Sequence, residues 1–125
     1  MAWNDPRPMS PHLQVYKLPL TAKLSILHRI TGAVLFTGLI LMILVLLSAA
    51  NGADSWQNMH AFLSSIFGKF VLFGFTFSLY YHLCNGIRHL FWDIGRGLDL
   101  VDANKSGIAV IAISVFLTLL TWIIT

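Results

Sequence analysis

Charge is scarce in this chain. Of its 125 residues only 10% are Asp, Glu, Lys or Arg, 57% are hydrophobic, and the mean hydropathy is +0.76. A water-soluble domain carries about 25% charged residues, so a soluble globule is excluded. Cysteine is nearly absent as well. Cys84 stands alone inside an apolar run, which permits no internal disulfide and no iron–sulfur cluster held by this chain alone, and makes it a packing residue. The first 29 residues lack a continuous apolar core, being interrupted by Pro6, Pro8, Pro11 and Pro19, so no cleavable signal is expected. They also lack the long Arg- and Ser-rich amphipathic character of a transit peptide, which favours a bacterial plasma membrane over a mitochondrial inner membrane. There is no internal repeat and no low-complexity tract.

What is present is long uncharged sequence. Ile30 to Ala53, Phe70 to Ile87 and Ser106 to Thr125 contain no Asp, Glu, Lys or Arg, and each approaches the roughly 20 residues that cross a hydrocarbon core. Helices satisfy every backbone amide without water, and runs this continuous do not match the alternating strands of a membrane barrel. The fold class is therefore an all-α integral membrane protein. It is read as a single membrane-anchor domain over residues 1–125, with an extended cytoplasmic segment over 1–21 and three transmembrane helices at about 22–50, 56–92 and 104–125. So short a bundle has little interior of its own. Gly32, Gly38, Gly74, Ser78, Gly86 and Gly107 are expected to face other helices, which calls for partner subunits, the other reading being that the glycines are merely tolerated in membrane helices.

Basic residues set the orientation. Arg7, Lys17, Lys23 and Arg29 precede the first span, and Arg88, Arg96 and Lys105 lie between the second and third, whereas the Asn51 to Lys69 segment has only Lys69. By the positive-inside rule the N-terminus and the 88–105 loop are cytoplasmic. The net charge of +3 comes from this asymmetry and faces membrane lipid, not nucleic acid.

Thr21 is the expected N-cap of a helix that begins near Ala22 and runs through the first span. Ser25, His28 and Arg29 then share one face of it where it meets the membrane. A quinone being reduced fits that face, with Ser25 donating to a carbonyl oxygen and Arg29 favouring an anionic intermediate. The other reading is that Arg29 anchors to lipid phosphate and Ser25 is an ordinary helix residue. Spacing alone leaves both open.

His82 is a titratable group at membrane depth, and such groups need a partner. His89 follows two turns later and points the same way, about 10 Å further along the axis. This suits a haem standing between helices, with His82 on the iron and its propionates near His28, Arg29, Arg88 and His89. A hydrogen bond from His82 to another helix is the alternative. His12 and His60 cannot reach the same iron, so a second axial ligand would come from another subunit. Asp93 reads as a cap or a charge partner of Arg88 or Arg96.

Two segments carry a resemblance. Arg7-Pro8-Met9-Ser10-Pro11-His12-Leu13 with Tyr16 and Ser25-Ile26-Leu27-His28-Arg29-Ile30-Thr31-Gly32, and then His82-Leu83-Cys84-Asn85-Gly86-Ile87-Arg88-His89-Leu90-Phe91-Trp92-Asp93-Ile94-Gly95, are similar to the two signatures of the succinate dehydrogenase cytochrome b subunit family. They stand in the family's order and cover most of the chain. The third span matches only in kind.

The resemblance implies a membrane anchor of complex II, in the tricarboxylic acid cycle and respiratory chain. Its partners would be a flavoprotein subunit that oxidises succinate, an iron–sulfur subunit that carries the electrons, and a second small anchor. It further implies that His82 is one axial ligand of haem b, that the second anchor supplies the other, and that Ser25 and Arg29 line the ubiquinone site. No catalytic residue for succinate chemistry is expected, and the chain is not an enzyme alone. Two alternatives stand beside this reading: an anchor of a quinol–fumarate reductase, and a helical membrane subunit without cofactor.

Overall fold

The computed structural model describes Pro6, Pro8 and residues 16–125. Of the first signature's opening stretch, everything but Pro8 lies outside the described residues, His12 included, as does most of the expected extended segment. All regular structure among the described residues is helical: α1 (Leu20–Ala50), α2 (Ala53–Ser64), α3 (Ile66–Asp93) and α4 (Leu100–Ile124). Helices α1, α3 and α4 are long and apolar enough to cross a membrane. The three expected spans are there, and a fourth, short helix is added.

The addition arises from a break where one helix was expected over 56–92. Ser65 leaves the helical region (φ −65°, ψ 161°), and its side chain accepts a hydrogen bond from the Gly68 amide at 3.1 Å, which caps α3. Gly68 is buried against the end of α2. A Cβ there would collide with the Phe62 carbonyl and the Leu63 backbone, so the corner requires glycine. Helix α2 is tied back to α1 by Ser48, whose hydroxyl donates to the Ser55 carbonyl at 2.7 Å.

Helix α1 begins two residues earlier than expected, with Pro19 and not Thr21 in the cap position and no side-chain cap. The Pro19 carbonyl accepts from the amides of Ala22 and Lys23 at 3.1 and 3.2 Å, and proline's missing N–H costs nothing at a helix start. Helix α3 ends in a left-handed closure. Gly95 has φ +75°, its amide donates to Trp92, and the Arg96 amide donates to Phe91, the paired bonds of a Schellman motif.

Helix α3 is central and packs on both α1 and α4. The apolar core is small: Leu24, Tyr81 and Val110, with Leu20, Leu27, Phe77 and Cys84 against them. Polar residues fill much of the remaining interior, among them Thr31, Ser78, Asn85, Arg88, Ser114 and Thr118. Ser114 and Thr118 donate back to the carbonyls of Val110 and Ser114 at 2.6 and 2.7 Å, which satisfies them without a partner. Large apolar side chains such as Phe36, Ile66, Phe70 and Ile123 point outward, as expected where lipid or other subunits replace water.

Gly32, Gly38 and Gly107 lie where a Cβ would meet His82, Phe75 and Leu24 respectively, while Gly74 and Gly86 face open space in this chain. Three of the five expected glycine contacts are thus internal. At the far end, Tyr80 and Thr121 hydroxyls pair at 2.8 Å and the Trp122 indole donates to Thr76 at 3.3 Å, joining α3 to α4.

Candidate functional site

The site forms where α1 crosses α3. Tyr81, fully buried, donates its hydroxyl to the Leu24 carbonyl at 2.7 Å. That carbonyl's own helical partner is the His28 amide, so one residue of α3 grips α1 a turn above His28. The next residue of α3 is His82, and its ring lies flat on that of His28, with centroids 3.9 Å apart and planes 6° apart. His89 follows, tilted against His28 at 5.4 Å, and Trp92 meets His89 edge-on at 4.9 Å. Three imidazoles therefore gather at this end of the bundle, two from α3 and one from α1.

The His82 ring is held closely. Its Nδ1 lies 3.2 Å from Thr31 Oγ1 and 3.2 Å from the His28 carbonyl oxygen. Thr31 is buried, and its hydroxyl donates to the same His28 carbonyl at 2.9 Å. Gly32 offers bare backbone to the ring: a Cβ there would sit 3.1 Å from His82 Cε1. Both of the ring's hydrogen bonds to described residues are made through Nδ1, and none is made through Nε2.

Ser25 and Arg29 lie one turn apart along the neighbouring flank of α1. Ser25 is half-buried and donates to the Thr21 carbonyl at 3.0 Å; Arg29 is exposed. Arg88 is not brought to the histidines. It is 4% exposed and turned toward α4, where Nε donates to Ser106 Oγ at 3.0 Å, Nη1 to Asn85 Oδ1 at 3.2 Å and Nη2 to the Ala103 carbonyl at 2.9 Å. Its guanidinium also lies over the Trp92 ring at 4.1 Å. Asp93 is not among these partners. His60 sits on α2, beyond the break, next to Trp56.

Thr31 was not singled out from sequence, although it lies three residues after His28 and therefore beside it on the helix. Tyr81 and Asn85 were missed too. Nothing in their local sequence marks them, because their roles are contacts with other helices.

The donor set fits haem better than a bare metal ion. No group of three His, Cys, Asp or Glu side chains that could hold a metal ion occurs among the described residues, and a protein-held ion needs such a set. A porphyrin supplies four nitrogens itself, so one imidazole with a free Nε2 suffices on this side. Two further observations agree. His28 Nδ1 is buried without a partner, and Arg29 and His89 give the rim a basic character suited to carboxylates.

Comparison with known proteins decides the family. A family model described as the succinate dehydrogenase/fumarate reductase transmembrane subunit matches residues 4–121. The chain belongs to that family. It is 45% identical over 118 residues to the succinate dehydrogenase cytochrome b556 subunit of Paracoccus denitrificans and 43% identical over 118 residues to that of Rickettsia felis, covering 94% of this chain and 91% of each relative. The mitochondrial succinate dehydrogenase cytochrome b560 subunit of Sus scrofa is 37% identical over 121 residues, covering 90% of this chain and 70% of the relative. With three apolar spans, this family member is a multi-pass protein of the inner membrane.

Proposed function

We propose that this chain is the cytochrome b membrane anchor of a succinate:ubiquinone oxidoreductase, joined to a flavoprotein subunit, an iron–sulfur subunit and a second small anchor. The observation that carries this reading is His82, which opens the second signature segment, with Nδ1 hydrogen-bonded and Nε2 without a partner among the described residues. Haem b, when bound, supplies a one-electron centre inside the membrane. His82 would hold the haem iron from this chain, and the second anchor would supply the other ligand. His28, Arg29 and His89 form the propionate environment on this chain. Arg88 serves the α3–α4 contact instead.

Ser25 and Arg29 form this chain's share of the ubiquinone site. Arg29 provides a permanent cation toward a site that the partner subunits complete, where it favours the negative charge that develops on the quinone oxygens. The Ser25 hydroxyl, bonded to the Thr21 carbonyl, turns from that backbone acceptor to donate to a quinone carbonyl. Two electrons arrive from the iron–sulfur subunit, and two protons are taken up from the cytoplasmic side. The N-terminus faces the cytoplasm in this reading, which the distribution of Lys and Arg supports.

Purification of the complex through a tag on this chain tests the assignment. Flavin, iron–sulfur and a second membrane subunit are expected to co-purify with succinate:quinone reductase activity. Purification of the chain without these partners would overturn it.

A further inference from the structure

We infer that Thr31 is a positioning residue for His82: with its own proton given to the His28 carbonyl, its hydroxyl joins that carbonyl in accepting a hydrogen bond from protonated Nδ1, the tautomer that presents an unprotonated Nε2 to the haem iron. This rests on the reading of His82 as an axial ligand.

The number of protons available to these three groups decides which of them donates. Thr31 Oγ1 lies 2.9 Å from the His28 carbonyl and 3.2 Å from His82 Nδ1, and Nδ1 is 3.2 Å from the same carbonyl. A carbonyl oxygen only accepts. If Nδ1 were bare, its lone pair would face the carbonyl's lone pairs with nothing between them. If Nδ1 carries the proton, both contacts are satisfied: the imidazole N–H is shared between two acceptors, and the threonine proton goes to the carbonyl. Thr31 is 3% exposed, so water does not compete for these groups. A neutral imidazole has one N–H, and with it on Nδ1 the other nitrogen is a ligand.

Ring orientation is fixed by the same residues. A half-turn about the Cβ–Cγ bond would exchange Nδ1 for a carbon and leave both acceptors facing C–H. The His28 ring covers one face at 3.9 Å, and the Gly32 backbone limits movement at Cε1. An acceptor on the far N–H of a ligating histidine increases its basicity and electron donation to the metal. For a haem iron that favours the oxidised state and lowers the midpoint potential. Thr31 thus tunes the haem through His82 without touching it.

The test uses the intact complex with wild-type chain and with Thr31→Val, Thr31→Ser and His82→Ala. Thr31→Val keeps the shape and removes one of the two acceptors, leaving the His28 carbonyl. Its haem content is expected to stay at the wild-type level, while the midpoint potential rises and the low-field EPR feature moves. Thr31→Ser restores the hydroxyl and is expected to return both to wild-type values. Wild-type potential and EPR in the Val variant, or equal shifts in Val and Ser, would overturn the assignment. Should the Val complex fail to assemble, Thr31→Ala takes its place: a raised potential that Thr31→Ser does not share supports the hydroxyl's role, and wild-type values in the Ala variant remove it. An unchanged bis-histidine signal in His82→Ala would instead refute the ligand reading underneath, whatever Thr31 does.

Discussion

The imidazoles of His28 and His82 lie face to face, 3.9 Å between centroids and 6° between planes. One belongs to α1 and the other to α3, so the stack is a tertiary contact that fixes the two helices at one depth. It brings the two signature segments of the sequence into a single site, with Ser25 and Arg29 on the adjoining flank.

Arg29→Ala should weaken quinone reduction without impairing the soluble subunits. A hydrogen bond to a charged group contributes about 1.5–3 kcal/mol, so kcat/KM for ubiquinone should fall roughly ten- to a hundredfold. Succinate oxidation with a soluble dye acceptor should be retained. Ser25→Ala should act in the same direction with a smaller loss. Unaltered quinone kinetics in both variants would take this flank of α1 out of the site.

Gly32→Ala should disturb His82 directly, since the new Cβ would lie 3.1 Å from Cε1. Overpacking of a tight contact costs about 1–3 kcal/mol. The imidazole must tilt, and a changed haem absorbance or EPR line shape is the expected result. An unperturbed spectrum would show that the ring has room to move.

Arg88→Leu should loosen the α3–α4 contact while leaving the haem spectrum in place. The substitution strands the buried Asn85 carboxamide oxygen and removes the donors to Ser106 and Ala103, at a cost of about 2 kcal/mol or more. Arg88→Lys should recover only part of this, because a point charge cannot reproduce the fork. Thermal dissociation of the detergent-solubilised complex reads the effect. A lost haem signal with unchanged thermal stability would instead place Arg88 with the propionates.

That direction of Arg88 was legible in principle. At about 100° per residue, His89 returns to nearly the azimuth of His82, while Arg88 stands about 240° round. Grouping them by closeness in sequence obscured the difference. The three spans were legible because charge is excluded from lipid-facing helix. The break at Ser65 was not, because no proline or charge marks it; it depends on a serine cap and on the absence of a Cβ at Gly68. His82 and His28 could each be placed at a depth from sequence. Their stacking, and the burial of Thr31 beneath them, depend on how closely α1 and α3 approach at Gly32, which no single-helix pattern encodes.

The central claim is that His82 ligates haem b. Reduced-minus-oxidised absorbance and low-temperature EPR of the complex purified through this chain, wild type beside His82→Ala, test it most directly. A b-type, bis-histidine signal in the wild type that is lost or converted in the variant is the predicted result. The same bis-histidine signal in both would contradict it.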